Sequence, residues 1–378
     1  MFASLVSPGV PPAAMVWVAG WGREGGAIDD QTEAGQAGRG GALLRLDSNE
    51  NPVGPGARVL EAISGSLGEA GRYPFNASRG EGALVEAIAR RHGVKTGQVT
   101  LGAGSGEILA NAVRAFTSAA RPLVTAWPTF EIPHDKARRV GTEVRAVPLD
   151  ARLRLDVERM TAASDGAGLV YFCNPNNPTA TVHGASTVAE FLTRVGTASP
   201  DTVVLIDEAY HDYVADPSYE TAIATAATQP NIVVTRTFSK AHGMAGVRLG
   251  YAIGHASTIE RLARYRMPLG ANVPAIAGAL ASLADPDRLL AECVRNAEAR
   301  AFTVDAFTRL GFETTVSQAN FVFVNLRRPT AAFRDACRSA GVRIGRDFAP
   351  YERTHCRVSI GTLDEMRHAA EVFRKVLA

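Results

Sequence analysis

Residues 203–213 read VVLIDEAYHDY, and residues 232–251 read IVVTRTFSKAHGMAGVRLGY. Each opens as a run of aliphatic and β-branched residues and then breaks into polar ones. Asp207 follows four apolar residues directly, and Lys240 follows a short polar turn. Short, uniformly apolar runs of this kind read as strands covered on both faces. Runs of the same texture lie at 99–101, 123–126, 144–147, 169–172 and 249–253. Between them the periodicity changes. Ile108, Leu109, Ala112, Val113 and Phe116 share one helical face, as do Val188, Phe191, Leu192 and Val195. The alternation predicts an α/β fold with a mostly parallel sheet flanked by helices.

Past about residue 275 the texture changes. A long helix over 286–310, strands over 312–316 and 321–325, a helix over 330–340, a strand over 357–360 and a last helix over 363–377 predict a smaller α+β domain. Residues 1–42 are interrupted by prolines and then rich in Gly, Ala and Gln, which predicts a disordered extension and makes a poor secretory signal.

Composition narrows the partners. Of 378 residues, 40 are basic and 38 acidic, so the net charge of +2 gives no basic stripe for nucleic acid. No apolar run is long enough for a membrane helix. The four cysteines are scattered, with no CxxC pair, and there is no HExxH. Reduced thiols in a cytoplasmic protein are expected, and no metal site. Small polar molecules are the expected partners.

In an open α/β sheet, ligands bind beyond the carboxyl ends of the strands. Four loops there carry unusual residues. LGAGSGEI (101–108) is a Gly-rich turn into a helix, where free N–H groups and the helix dipole suit a phosphate. A tight turn with no ligand stays open, and Glu107 breaks the dinucleotide fingerprint. FCNPNNPTA (172–180) holds Asn177 in a rigid turn, where it could donate to a ligand oxygen or simply close the turn. Asp207, if buried, needs a cationic partner such as a protonated pyridine nitrogen; a helix cap is the plainer reading. Lys240 falls over the sheet's end, where a lysine held near cations and partly desolvated has the lowered pKa that Schiff-base chemistry uses; a solvated loop lysine is the plainer reading. Ser239 and Arg248 can supply anion contacts.

These four segments, with LDSNENPVGPG (46–56), RYP (72–74), PTF (128–130), ANFVFV (319–324) and CRVSIGT (356–362), resemble the fold-type I pyridoxal-phosphate (PLP) aminotransferases of class I and II. The likeness is greatest to the histidinol-phosphate aminotransferase group, and it runs from about residue 43 to the C-terminus.

The resemblance implies roles. Lys240 carries the cofactor as a Schiff base and moves the proton between Cα and the cofactor. Asp207 pairs with the pyridine nitrogen, while Tyr210 and Asn177 bond the phenolic oxygen. Phe130 stacks on the ring. Gly104, Ser105 and Gly106, with Ser239 and Arg248, hold the phosphate, and Tyr73 matches the tyrosine that reaches that phosphate from the partner subunit. A homodimer with a shared active site follows. Arg357 binds the substrate α-carboxylate. Asn51 and Arg346 lie in segments that face the substrate. His242 is expected to line its turn.

The family often has Asp where Gly106 stands and Gly where Ala180 stands. The expected layout is an N-terminal segment (43–72) packing with the small domain, a large PLP-binding domain (73–275) and the small domain (276–378). The expected reaction moves an amino group from an amino acid or amine to a 2-oxo acid. Histidinol phosphate with 2-oxoglutarate is the leading pair. An aminotransferase for another amino acid, aromatic ones included, and a PLP decarboxylase of the threonine-phosphate type share the frame. A binding protein without turnover would show loss of Lys240, Asp207 or Arg357, and all three are present.

Overall fold

A computed structural model describes residues 43–76 and 80–378; the extension expected over 1–42 lies outside the described residues. In chain order the strands are β1 (Leu44–Leu46), β2 (Val99–Gly102), β3 (Leu123–Trp127), β4 (Val144–Pro148), β5 (Leu169–Cys173), β6 (Val203–Asp207), β7 (Ile232–Thr237), β8 (Gly250–Gly254), β9 (Glu313–Thr314), β10 (Phe321–Asn325), β11 (Val342–Ile344) and β12 (His355–Ser359).

Seven of them form one sheet in the order β2-β8-β7-β6-β5-β3-β4. The pairs among β3, β4, β5, β6 and β7 are parallel, and β8 runs antiparallel to both β7 and β2. The mixed, mostly parallel sheet is the one the apolar runs predict, and each strand starts within a residue of its run. Because β2 and β7 both oppose β8, β2 points the same way as the parallel strands. The residues after β2, β3, β5, β6 and β7 therefore gather at one edge. Arg248, just before β8 begins, joins them there.

Side-chain alternation sends odd and even residues of the central strands to opposite faces. Tyr171, Leu205 and Val233 pack with Ile108, Leu109, Ala112 and Val113 of the helix Ser105–Phe116. Phe172, Ile206 and Val234 pack with Leu84 and Ile88 of Glu81–His92, Phe191 and Val195 of Ala185–Ala198, and Ile276 of Val273–Leu283. A strand buried on both faces has no polar side to show, which is why the runs are continuous.

A further buried cluster joins Leu46 to the helices Pro286–Arg309, Thr330–Ser339 and Leu363–Leu377 over the antiparallel sheet β12-β10-β9. The strand expected over 312–316 is shorter than its sequence suggests. Only two residues pair, because the chain then leaves the sheet and exposes Val316 to 79%. The strand expected at 357 starts at His355. The parallel pair β1 and β11 aligns Leu44 with Val342 and Leu46 with Ile344.

The turn carrying Ala180 is left-handed at that residue, with φ of 58°, and the alanine is fully buried. Its N–H donates to the Asn176 carbonyl (2.7 Å), and its own carbonyl accepts from Gln318 (2.8 Å). The alanine thus holds a conformation that favours glycine.

At the end of β6 two adjacent acids part company. Glu208 accepts from Arg236 Nε (2.9 Å), from Thr221 (2.7 Å) and from the Ala222 N–H (2.8 Å); Glu208, Arg236 and Ala222 are buried, while Thr221 is exposed. Removing one partner of a buried ion pair strands the other charge. Glu208→Ala is expected to lower unfolding free energy by about 3–5 kcal/mol, read by denaturant titration.

Candidate active site

Register places the first part of the site. Cys173, Asp207 and Thr235 lie side by side on β5, β6 and β7. Asp207 is 1% exposed, and both its oxygens accept: Oδ2 from the Tyr171 hydroxyl and Oδ1 from Thr235 Oγ1, each at 2.9 Å. Burial pushes its pKa up to about 6 against the pull of those two donors. No lysine or arginine forms an ion pair with it among the described residues. It is a carboxylate prepared for a cation.

Lys240 follows β7 after Phe238 and Ser239. Its amine donates to the Asn49 carbonyl (3.1 Å) and lies 5.6 Å from the centre of the Tyr210 ring. Burial, then the charge of Arg357, brings its pKa down to about 8. The Tyr210 hydroxyl accepts from Asn49 Nδ2 (3.2 Å), and burial holds its pKa above the usual phenol range.

Second comes an anion cradle. The helix Ser105–Phe116 begins at Gly104, with φ of 78° and no side-chain cap. Arg248 reaches over it, donating to Ser239 Oγ (3.4 Å) and to the carbonyls of Ala245 (2.8 Å) and Ala103 (3.4 Å). A Cβ on Gly104 would lie 2.1 Å from Arg248 Nη2, and one on Gly250 would lie 2.4 Å from the Ser105 nitrogen. Uncapped helix N–H groups, a serine hydroxyl and a guanidinium thus converge, and they fit a phosphate. At Gly106 a Cβ would meet Ile132 Cδ1 at 2.8 Å, so Ile132 stands where a larger residue would project.

Third is Arg357 on β12, 5% exposed. Nη1 donates to Asn177 Oδ1 (2.7 Å) and Nη2 to the Asp47 carbonyl (2.6 Å), while Nε has no partner. Its guanidinium lies over the rings of Phe348 (4.9 Å) and Phe321 (5.6 Å). Burial brings its pKa down to about 10, and the nearby Arg346 adds to that. A buried cation with no carboxylate partner among the described residues is built for an anionic ligand.

The other expected residues divide. Phe130 is partly buried beside the Asp207 face of the sheet. Asn51 spends its side chain on backbone, bonding the Ala241 carbonyl and the Val53 N–H (3.1 Å each). It fastens the N-terminal segment to the Lys240 loop. Arg346 pairs with Glu131. His242 is buried against Phe238 and bonds Ser282 (2.7 Å), in the turn as expected. Tyr73 is 63% exposed and stacks on Phe75. Asn49, Tyr171, Thr235 and Asp47 belong to the site and escaped the sequence reading. Asp47 and Asn49 lie in the LDSNENP stretch that carries the resemblance, and an Asn tolerates the left-handed conformation found at 49 (φ 54°).

Asp207, Lys240 and the cradle present a carboxylate for a ring cation, an amine for a carbonyl and a phosphate seat, the three demands of pyridoxal phosphate. Gly104→Ala should displace the Arg248 guanidinium and strain a left-handed position. We expect its cofactor to dissociate at least about tenfold faster, measured by dialysis and fluorescence.

Comparison with known proteins agrees. The family described as aminotransferase class I and II matches residues 42–373. Histidinol-phosphate aminotransferase 2 of Pseudomonas aeruginosa is 38% identical, over 89% of this chain and 90% of that protein. The aromatic amino acid aminotransferase of Thermobifida fusca is 35% identical, over 86% and 88%. The histidinol-phosphate aminotransferase of Sinorhizobium meliloti, solved in complex with pyridoxal-5'-phosphate, superposes with a TM-score of 0.82 at 28% identity, over 89% and 91%. The chain belongs to the class I and II aminotransferases and is a pyridoxal-phosphate-dependent transaminase.

Proposed function

We propose that the enzyme moves an amino group from a donor whose anionic group rests on Arg357 to a 2-oxo acid, with 2-oxoglutarate as the acceptor. The observation that carries this is the buried Arg357, with Nε unpartnered and its charge acting on the Lys240 amine. A guanidinium fork suits a carboxylate or phosphate in two-pronged contact. Histidinol phosphate and an aromatic amino acid both offer such an anion. The relatives carrying those two names are nearly equally similar, at 38% and 35% identity.

When bound, pyridoxal phosphate supplies an electron sink conjugated to the donor's Cα. The chain's own residues do the rest. Asp207 holds the ring cation, and Tyr171 and Thr235 fix the carboxylate's orientation. Asn177 is itself held by Arg357 Nη1, so donor and ring positions are tied together. Ser105, Ser239 and Arg248 seat the phosphate. Lys240 Nζ is the amine that carries the cofactor and moves the proton at Cα. A pKa near 8 leaves it a useful neutral fraction near pH 7, which an ordinary lysine lacks.

The same reading assigns 73–275 to a cofactor domain and 276–378 to a smaller domain, with 43–72 packing beside the latter. It also assigns a homodimer in which the exposed Tyr73 serves the partner's phosphate. Four free cysteines suit a reducing cytoplasm.

A visible absorption band on the purified protein should convert when donor is added and return with 2-oxoglutarate. Histidinol phosphate and the aromatic amino acids are tried in turn, and a band that ignores every donor overturns the reading. Lys240→Ala should lose turnover entirely. Uptake of added cofactor by the apo-protein requires the neutral amine, so its rate should rise with pH and level off above about 8. A rate still climbing towards the ordinary lysine value of 10.5 would contradict the assignment.

A further inference from the structure

Two cations stand together at the donor site, and one of them is already answered. Gly345 donates its N–H to the Arg357 carbonyl (3.1 Å), and a Cβ there would lie 2.6 Å from that oxygen. The residue after β11 is thereby pressed against β12, which sets Arg346 beside Arg357. Both guanidinium groups lie over the Phe348 ring, at 4.4 Å for Arg346 and 4.9 Å for Arg357. Arg346 forms an ion pair with Glu131, the residue directly after Phe130. Glu131 stands at the start of the helix Ile132–Arg139 but makes no cap bond with its side chain. The pair spans from the cofactor-ring side of the site to the substrate side, and the charges of both partners act on Arg357.

We propose, building on the aminotransfer reading, that Glu131 sets donor specificity: it neutralises Arg346 and so favours donors bearing a carboxylate over donors bearing a phosphate monoester. A carboxylate brings one negative charge, which Arg357 alone answers. A phosphate monoester carries about −1.5 to −2 at neutral pH and gains from a second guanidinium. To recruit Arg346 it must displace Glu131 and leave that carboxylate beside a dianion, an unfavourable contact of like charges. An α-amino acid meets no such competition.

The test compares holoenzyme of wild type, Glu131→Gln and the Glu131→Gln/Arg346→Gln double variant. Phenylalanine and histidinol phosphate are the donors, and inorganic phosphate is the calorimetric probe. Glutamine keeps the shape of Glu131, and the cofactor's visible band reports a folded site in each variant. Glu131→Gln is expected to raise kcat/KM for histidinol phosphate relative to phenylalanine by about tenfold and to tighten inorganic phosphate similarly. Both gains should vanish in the double variant. A ratio and a phosphate affinity that move less than about twofold, or gains that persist without Arg346, overturn the proposal. If wild type turns over neither donor, the assignment of these two donors fails. The phosphate affinities of wild type and Glu131→Gln then decide the role of Glu131 separately.

Discussion

Asp207 lies at the end of a strand whose preceding residues are all apolar, and its carboxylate is out of water with no ion pair to a lysine or arginine among the described residues. Such a group is costly unless something answers it, and two hydroxyls answer it only in part. The rest of the site is arranged around that debt. Tyr171 and Thr235 fix the carboxylate's direction from neighbouring strands, which fixes where a ring nitrogen must sit. That position in turn sets the distances to the Lys240 amine and the phosphate cradle. Parallel pairing makes this reproducible, because the three residues are held by a ladder of backbone bonds rather than by loops.

The surroundings of Arg357 are built differently. Arg357 comes from the antiparallel sheet β12-β10-β9 and is steered by aromatic rings, a carbonyl and an amide. These neutral partners orient a guanidinium without cancelling its charge. Asn177 serves both sides, since it extends from the turn after β5 and accepts from Arg357. The segment 47–51 threads between them, giving backbone carbonyls to Arg357, Lys240 and Asn320 and a side chain to Tyr210.

The large sheet was legible because its strands are buried on both faces and so write themselves as apolar runs. Asp207 was legible for the complementary reason, as a charged residue ending such a run, and Lys240 as a lysine in the turn that follows another. The pair β1 and β11 was not, because three residues carry no usable periodicity. Tyr171 and Thr235 read as ordinary strand residues; only cross-strand register shows that both point at Asp207. Arg346 was placed near the substrate by likeness, yet its bond to Glu131 joins residues far apart in sequence. Asn51 lies in a segment expected to face the substrate, and its side chain bonds backbone, while Asn49, two residues earlier, reaches Tyr210 and Lys240.

The two acids at 207 and 208 face opposite sides of the sheet, and so do their neighbours Thr235 and Arg236. A slip of β6 against β7 by one residue would exchange them. The shorter acid would be left facing Arg236, the longer one would crowd the cofactor seat, and a buried guanidinium would lose its counterion. Misregistered chains therefore carry a penalty at the very spot where chemistry is to occur. The sequence Asp-Glu opposite Thr-Arg works as a lock with a single key position, so a strand that has zipped correctly has also aimed the Asp207 carboxylate between Tyr171 and Thr235.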